Sequence, residues 1–149
     1  MIIKIFILLL ILSFFHALEE LEIEGRTKNG WARCLPTTRI NNKFIKFLIN
    51  KELTLYHIYM LSMFFIIFHG IFLFIPWNIF KECKVVGFLM FYFVFEDVWW
   101  FLLNPEYQFK IFIPGHVSWH KRYWKFLPVS YWWGLIVGIG LLYLGGLHA

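Results

Sequence analysis

Four stretches of nearly unbroken apolar residues divide the chain: Ile2 to Leu18, Leu53 to Trp77, Val85 to Leu103 and Val129 to Leu147. A bilayer core is crossed by about 17 to 25 helical residues. The last three stretches fit that length, and the first, interrupted by Lys4, Ser13 and His16, is marginal. Lipid offers the backbone no hydrogen-bond partners, so each stretch must be helical. The pattern therefore predicts an all-α integral membrane protein, one domain over residues 1–149 with four transmembrane helices. The first stretch also has the length of a secretory signal peptide. Phe15 spoils the small-x-small cleavage pattern, which favours a retained first helix.

Between the spans, two segments alternate with helical period. In Lys43 to Lys51, Phe44, Ile45, Leu48 and Ile49 share a face, with Lys43, Lys46 and Asn50 opposite. From Pro114 to Leu127, Ser118, Lys121, Arg122 and Lys125 occupy one arc. His116, Trp119, His120, Tyr123, Phe126 and Leu127 occupy the other. Both segments predict short interfacial amphipathic helices, and the second places His116 and His120 one turn apart on its apolar face. In the last span, Gly134-x-x-x-Gly138 permits close helix packing. Trp77, Trp99, Trp100, Trp132 and Trp133 fall near predicted interfaces.

Composition agrees with this picture. Of 149 residues, 60% are hydrophobic and 15% charged, against about one-half and one-quarter in soluble domains. Disordered, collagenous and nucleic-acid-tail classes are excluded by so apolar a chain, and no nucleic-acid partner is expected. The net charge is +5, and its distribution carries more information than its sum. Lys and Arg fall 11 to 3 on alternate sides of the four spans. Basic loops stay in the cytoplasm, so loops 19–52 and 104–128 are expected inside and both termini outside. Cys34 and Cys83 then fall on opposite sides of the membrane, and no disulfide between them is expected.

Several polar residues interrupt the apolar spans. Glu96 and Asp97 lie inside the third span, Glu96 eight residues before Asn104 and thus about 12 Å from its exit. An unpaired charge at the centre of a membrane helix costs at least about 2.5 to 3.5 kcal/mol, so a neutral or paired Glu96 is expected, with Tyr92 one turn away as a partner. His16 and Glu20 are four apart at the inner end of the first span, and His57 opens the second. His69 stands twelve residues further along and is a weaker candidate. Under the charge-derived topology, His16, Glu20, His57, Glu96, His116 and His120 all approach the cytoplasmic half, and a bundle assembles ligands from facing helices in this way. An acidic helix end, an internal polar clamp or a surface helix among headgroups would account for the same residues without chemistry.

Imidazoles and carboxylates at helical spacing suit Zn²⁺ or non-haem iron. The leading expectation is thus a small metal-dependent enzyme, a hydrolase or oxidoreductase acting on a lipid or lipid-linked substrate at the cytoplasmic face. His16, Glu96, His116 and His120 are its expected ligands to a divalent metal, Zn or Fe. Glu96 and Glu20 are its expected catalytic carboxylates, and Arg33, Arg39 and Tyr92 its substrate-binding groups. Two features weigh against it: His116-x-x-x-His120 lacks the glutamate of an HExxH motif, and desaturase-type histidine boxes are absent. The alternatives are a proton or cation transporter or channel, and a small accessory subunit of a larger membrane complex. A second copy of the chain or a larger membrane protein is the partner these alternatives imply.

Overall fold

A computed structural model describes residues 2–26, 30, 32–43 and 53–146. Four helices account for most of it: α1 (Ile2–Glu24), α2 (Leu55–His69), α3 (Ile79–Leu103) and α4 (Val129–Gly146). A 3₁₀ turn, Gly70–Leu73, continues α2, and another covers Gln108–Phe112. Two-residue antiparallel ladders close the loops: β1 (Arg39–Ile40) with β2 (Leu53–Thr54), and β3 (Tyr123–Trp124) with β4 (Leu127–Pro128). The protein is all-α. Among the described residues, three helical segments, 55–73, 79–103 and 129–146, are long and apolar enough to cross a membrane. That is the make-up of a multi-span membrane protein. Their outward faces carry Phe65, Ile66, Ile67, Trp133, Ile136 and Ile139, all exposed. A contiguous apolar surface of this kind is stable against lipid and costly against water.

α3 is the central helix. About 39% of its apolar window is buried, against 6% for α2 with its 3₁₀ turn and 17% for α4. It begins earlier than hydropathy suggests, because the Asn78 side chain accepts the Lys81 N–H at 2.9 Å and caps it. Contacts run in step along α1 and α3, from Phe6 against Phe88 and Phe91 to Phe14 against Trp99. These two helices are parallel. Neighbouring α4 is antiparallel to α3, with Gly145 beside Phe80 and Lys84 at one end and Tyr131 bonded to Asp97 at the other. An up-and-down bundle results, in which the described parts of the α1–α2 and α3–α4 connections share one end.

Glycines set the approach of α3 and α4. A methyl group added at Gly138 would sit 3.2 Å from the Phe91 ring and 3.3 Å from the Gly87 carbonyl. One added at Gly134 would meet the Val94 methyl at 2.6 Å. The Gly134-x-x-x-Gly138 pattern therefore lies in a helix–helix contact, whereas Gly140 faces open space.

The segment 114–127 is not the interfacial helix that its periodicity suggests. Gly115 adopts φ +86° and Lys125 φ +55°, and the chain makes turns closed by His116 N–H to the Ile113 carbonyl and His120 N–H to the Val117 carbonyl. The β3–β4 hairpin follows. Tertiary packing overrides the local pattern: Val117 and Trp119 are buried with Trp100, Phe101, Tyr107, Ile111 and Tyr131. The other expected interfacial helix, 43–51, lies outside the described residues except for Lys43.

Overpacking a tight contact costs about 1 to 3 kcal/mol. Gly138→Leu is therefore expected to lower the thermal unfolding midpoint of the detergent-solubilised protein by several degrees. Gly140→Leu, with no neighbour to displace, leaves it unchanged.

Candidate functional site

The helix ends at the loop-covered end of the bundle bring acidic side chains together. α1 continues past the apolar run and carries Glu20 and Glu24, one turn apart, toward α3. α3 contributes Glu96, which is buried, and Asp97, which is partly exposed. α2 starts at Thr54, whose hydroxyl accepts the His57 N–H at 3.3 Å and lies 2.6 Å from His57 Nδ1. That cap fixes the His57 ring and sets the adjacent Tyr56, whose hydroxyl donates to Glu20 Oε1 at 3.0 Å. The Glu20 and Glu96 carboxyls wall the same cavity. Two ionised carboxylates at close quarters repel each other, which favours a proton on one of the two.

Each remaining acid has its own support. Glu24 accepts the Ala32 backbone N–H, which holds the first loop over the helix end. Gly30 rests on the Trp100 and Trp119 indoles so closely that an added methyl group would overlap both, at 2.5 and 2.8 Å. Asp97 accepts the Tyr131 hydroxyl at 2.6 Å, and His120 Nε2 stands 3.7 Å from the same oxygen. Tyr131, from the first turns of α4, is the member of this arrangement that reading the sequence misses; no spacing links it to Asp97, 34 residues earlier.

These acids wall a cavity of ≈ 170 Å³. Glu20, Glu24, Glu96 and Asp97 supply its polar side with His57. Its apolar side is Met60, Leu61, Phe93, Trp100 and Trp119. A second cavity of ≈ 260 Å³ adjoins it, shares Glu20 and Met60, and is bordered by His16, Glu19 and Tyr59. Two buried polar atoms of the first cavity's wall residues, Glu96 Oε1 and Trp100 Nε1, have no hydrogen-bond partner among the described residues.

The expected metal centre is corrected by this geometry. Among the described residues, no group of three or more His, Cys, Asp or Glu side chains is placed to hold a metal ion. His16 is stacked on Tyr92 and tilted against Phe64, with ring centroids 5.8 and 4.4 Å away. His116 is exposed. His120 is buried against Phe101, Trp119 and Tyr131, beside Asp97. Because 114–127 forms turns, His116 and His120 do not share a face, and the Zn or Fe site on His16, Glu96, His116 and His120 does not assemble. The metal-dependent hydrolase or oxidoreductase reading goes with it.

The other expected site residues are distributed differently. Glu20 and Glu96 do meet. Tyr92 is core, packed by His16, Phe64 and Phe68. Exposed Arg39 ties the first loop by donating to the Ala32 and Arg33 carbonyls, both at 3.0 Å. Arg33 lies over the Trp119 ring, 5.9 Å from its centroid. At the far end of the bundle, His69 Nε2 and Trp77 Nε1 bond the two oxygens of Glu82 at 2.8 and 2.9 Å, away from the cavity.

Glu20 lies beyond Leu18, outside the apolar run of α1. Burial pushes its carboxyl up from the ordinary 4.5 to about 7; the Tyr56 hydrogen bond opposes the shift, and nearby Asp97 adds to it. The folded protein thus binds a proton that the unfolded chain releases above 4.5. The associated stability is complete below that pH and is lost as pH rises through about 7. Thermal unfolding in detergent between pH 4.5 and 8 is expected to show a midpoint falling across this window. In Glu20→Gln that slope flattens.

Comparison of the chain with protein-family models, with curated proteins and with solved structures gives no match, so the functional reading stands on the residues of the site itself.

Proposed function

We propose that the protein is a four-span membrane protein that moves protons or cations, with the Glu20–Glu96 pair as its exchange site. In this reading α1 is retained as the first span, both termini lie outside, and loops 19–52 and 104–128 face the cytoplasm. The support for that orientation is the 11-to-3 distribution of Lys and Arg. The loop-covered end of the bundle is then the cytoplasmic end, and the cavities open toward it.

One observation carries the reading: a buried glutamate on the central helix that lines a cavity beside a second carboxyl. A carboxyl at this depth is expensive unless neutral or paired, and intramembrane acids of this kind mark proton and ion pathways. Glu20 exchanges protons with the outer cavity, where Glu19 and Tyr59 are exposed. Glu96 holds the inner position. A neutral clamp between α1 and α3 would need no cavity on its flank.

A second reading rests on α2. With only 6% of its apolar window buried, α2 has room for a protein neighbour, either a second copy of the chain or the larger membrane complex of which this chain would be a small subunit. A purified particle whose mass in detergent exceeds one chain favours that assembly.

Proteoliposomes loaded with a pH-sensitive dye test proton movement. A potassium-diffusion potential is expected to drive acidification in wild-type vesicles. Glu96→Gln reduces the rate at least tenfold, and Glu22→Gln, which removes only an exposed ion pair with Arg26, leaves it intact. Wild-type vesicles no leakier than empty ones would overturn the reading.

A further inference from the structure

We propose that the β3–β4 hairpin and the start of α4 form a docking surface for anionic phospholipid, with Lys121, Arg122 and Lys125 meeting the headgroups and Trp124 and Phe126 seated among them. The inference stands on the multi-span membrane fold and is independent of proton or cation movement.

Helix length sets the depth of this surface. α4 has 18 residues, about 27 Å at helical rise, against a hydrocarbon core of about 30 Å. Val129 therefore lies at the membrane boundary, and the hairpin that ends at Pro128 lies at headgroup level. Two hydrogen bonds tie it there: the Trp132 indole donates to the Trp124 carbonyl at 2.9 Å, and the Val129 N–H to the Arg122 carbonyl at 3.0 Å. Trp124 and Phe126 are each 53% exposed, and both rings gather on Trp132, with centroids 4.7 and 6.1 Å away. Trp133, next along α4, is exposed as well. Rings that are apolar over most of their area and polar at one edge settle at the membrane–water interface.

Charge selects the lipid. Lys121, Arg122 and Lys125 are exposed beside the aromatic patch, and among the described residues none of them forms an ion pair with a carboxylate. Glu106 is the single acid in residues 104–128. At the hairpin tip Lys125 takes φ +55°, a left-handed backbone that glycine adopts at lower cost. Its ammonium lies over the Trp124 ring, 5.5 Å from the centroid. Cation and indole thus occupy the tip together, the combination that an interface of rings and negative headgroups receives. A guanidinium such as that of Arg122 matches a phosphate bidentately, and each basic side chain near an anionic leaflet is attracted to its surface potential. A zwitterionic lipid offers the same phosphate, but its own ammonium cancels the field.

Thermal unfolding of the full chain in mixed micelles tests the surface, because a lipid that binds the folded protein raises its midpoint. Phosphatidylglycerol is expected to raise the midpoint several degrees more than phosphatidylcholine does, and high salt to remove most of that difference. Replacing Lys121, Arg122 and Lys125 together by Gln abolishes the difference. Replacing Lys4, Lys81 and Lys84 by Gln removes as much charge at the opposite end of the bundle and leaves it intact. Should the first variant unfold early even without added lipid, the salt series on the wild-type protein decides, and a phosphatidylglycerol gain that salt does not reduce overturns the proposal. An equal gain from phosphatidylcholine or from inorganic phosphate overturns it too, as does a gain that survives the loss of Lys121, Arg122 and Lys125.

Discussion

A carboxyl group on the central helix of a membrane bundle has to be neutralised or paired, and Glu96 shares its cavity wall with Glu20 from the parallel helix α1. Much of the cavity end follows from that approach. It joins α1 to α3 at the end where the aromatic packing of Phe6, Phe14 and His16 gives way to polar side chains. It also aligns Tyr56 on Glu20, and the Thr54 cap of α2 is what presents Tyr56 there. Ionised and alone, Glu96 would carry a penalty of at least about 2.5 kcal/mol. A proton shared with Glu20 would remove most of that cost; Glu96 Oε1 itself is buried and has no partner among the described residues.

Packing elsewhere supports this end. Glycines let α4 approach α3 closely enough for Tyr131 to reach Asp97. The second loop contributes Trp119 and Val117 to an aromatic cluster that seals the cavity floor around Trp100 and Phe101. Its β3–β4 hairpin is pinned by the Trp132 indole, which donates to the Trp124 carbonyl at 2.9 Å. The first loop crosses above, held by Glu24 and by the absence of a side chain at Gly30. Acidic groups thus sit among four helix ends and the described parts of two connections.

Spans were legible in the sequence because lipid imposes a length and a polarity on them. α2 with its 3₁₀ turn, and α4, fall where hydropathy puts them. α3 starts at Ile79 instead of Val85 and α1 runs to Glu24 instead of Leu18, because caps and charged turns extend a helix past its apolar part. That Glu20 and Glu96 lie at the same end of the bundle was also readable, from the charge-derived topology, although the partner expected for Glu96 was Tyr92, which packs in the core. Segment 114–127 was not. Its helical period is real, but Val117 and Trp119 gain more by entering the aromatic cluster than by lying on the membrane surface. With the helix lost, His116 and His120 separate, and the metal site that depended on their spacing has no basis. The Asp97–Tyr131 bond and the Gly30 contact join residues far apart in sequence, and a single sequence carries no signal for either.

The central claim is that Glu20 and Glu96 share a proton inside the bundle at neutral pH. Infrared difference spectroscopy of the reconstituted protein across a pH step reads it directly. The account predicts a protonated-carboxyl C=O band at pH 7 that shifts in D₂O and disappears in both Glu20→Gln and Glu96→Gln. A wild-type spectrum at pH 7 showing only ionised carboxylate would contradict it.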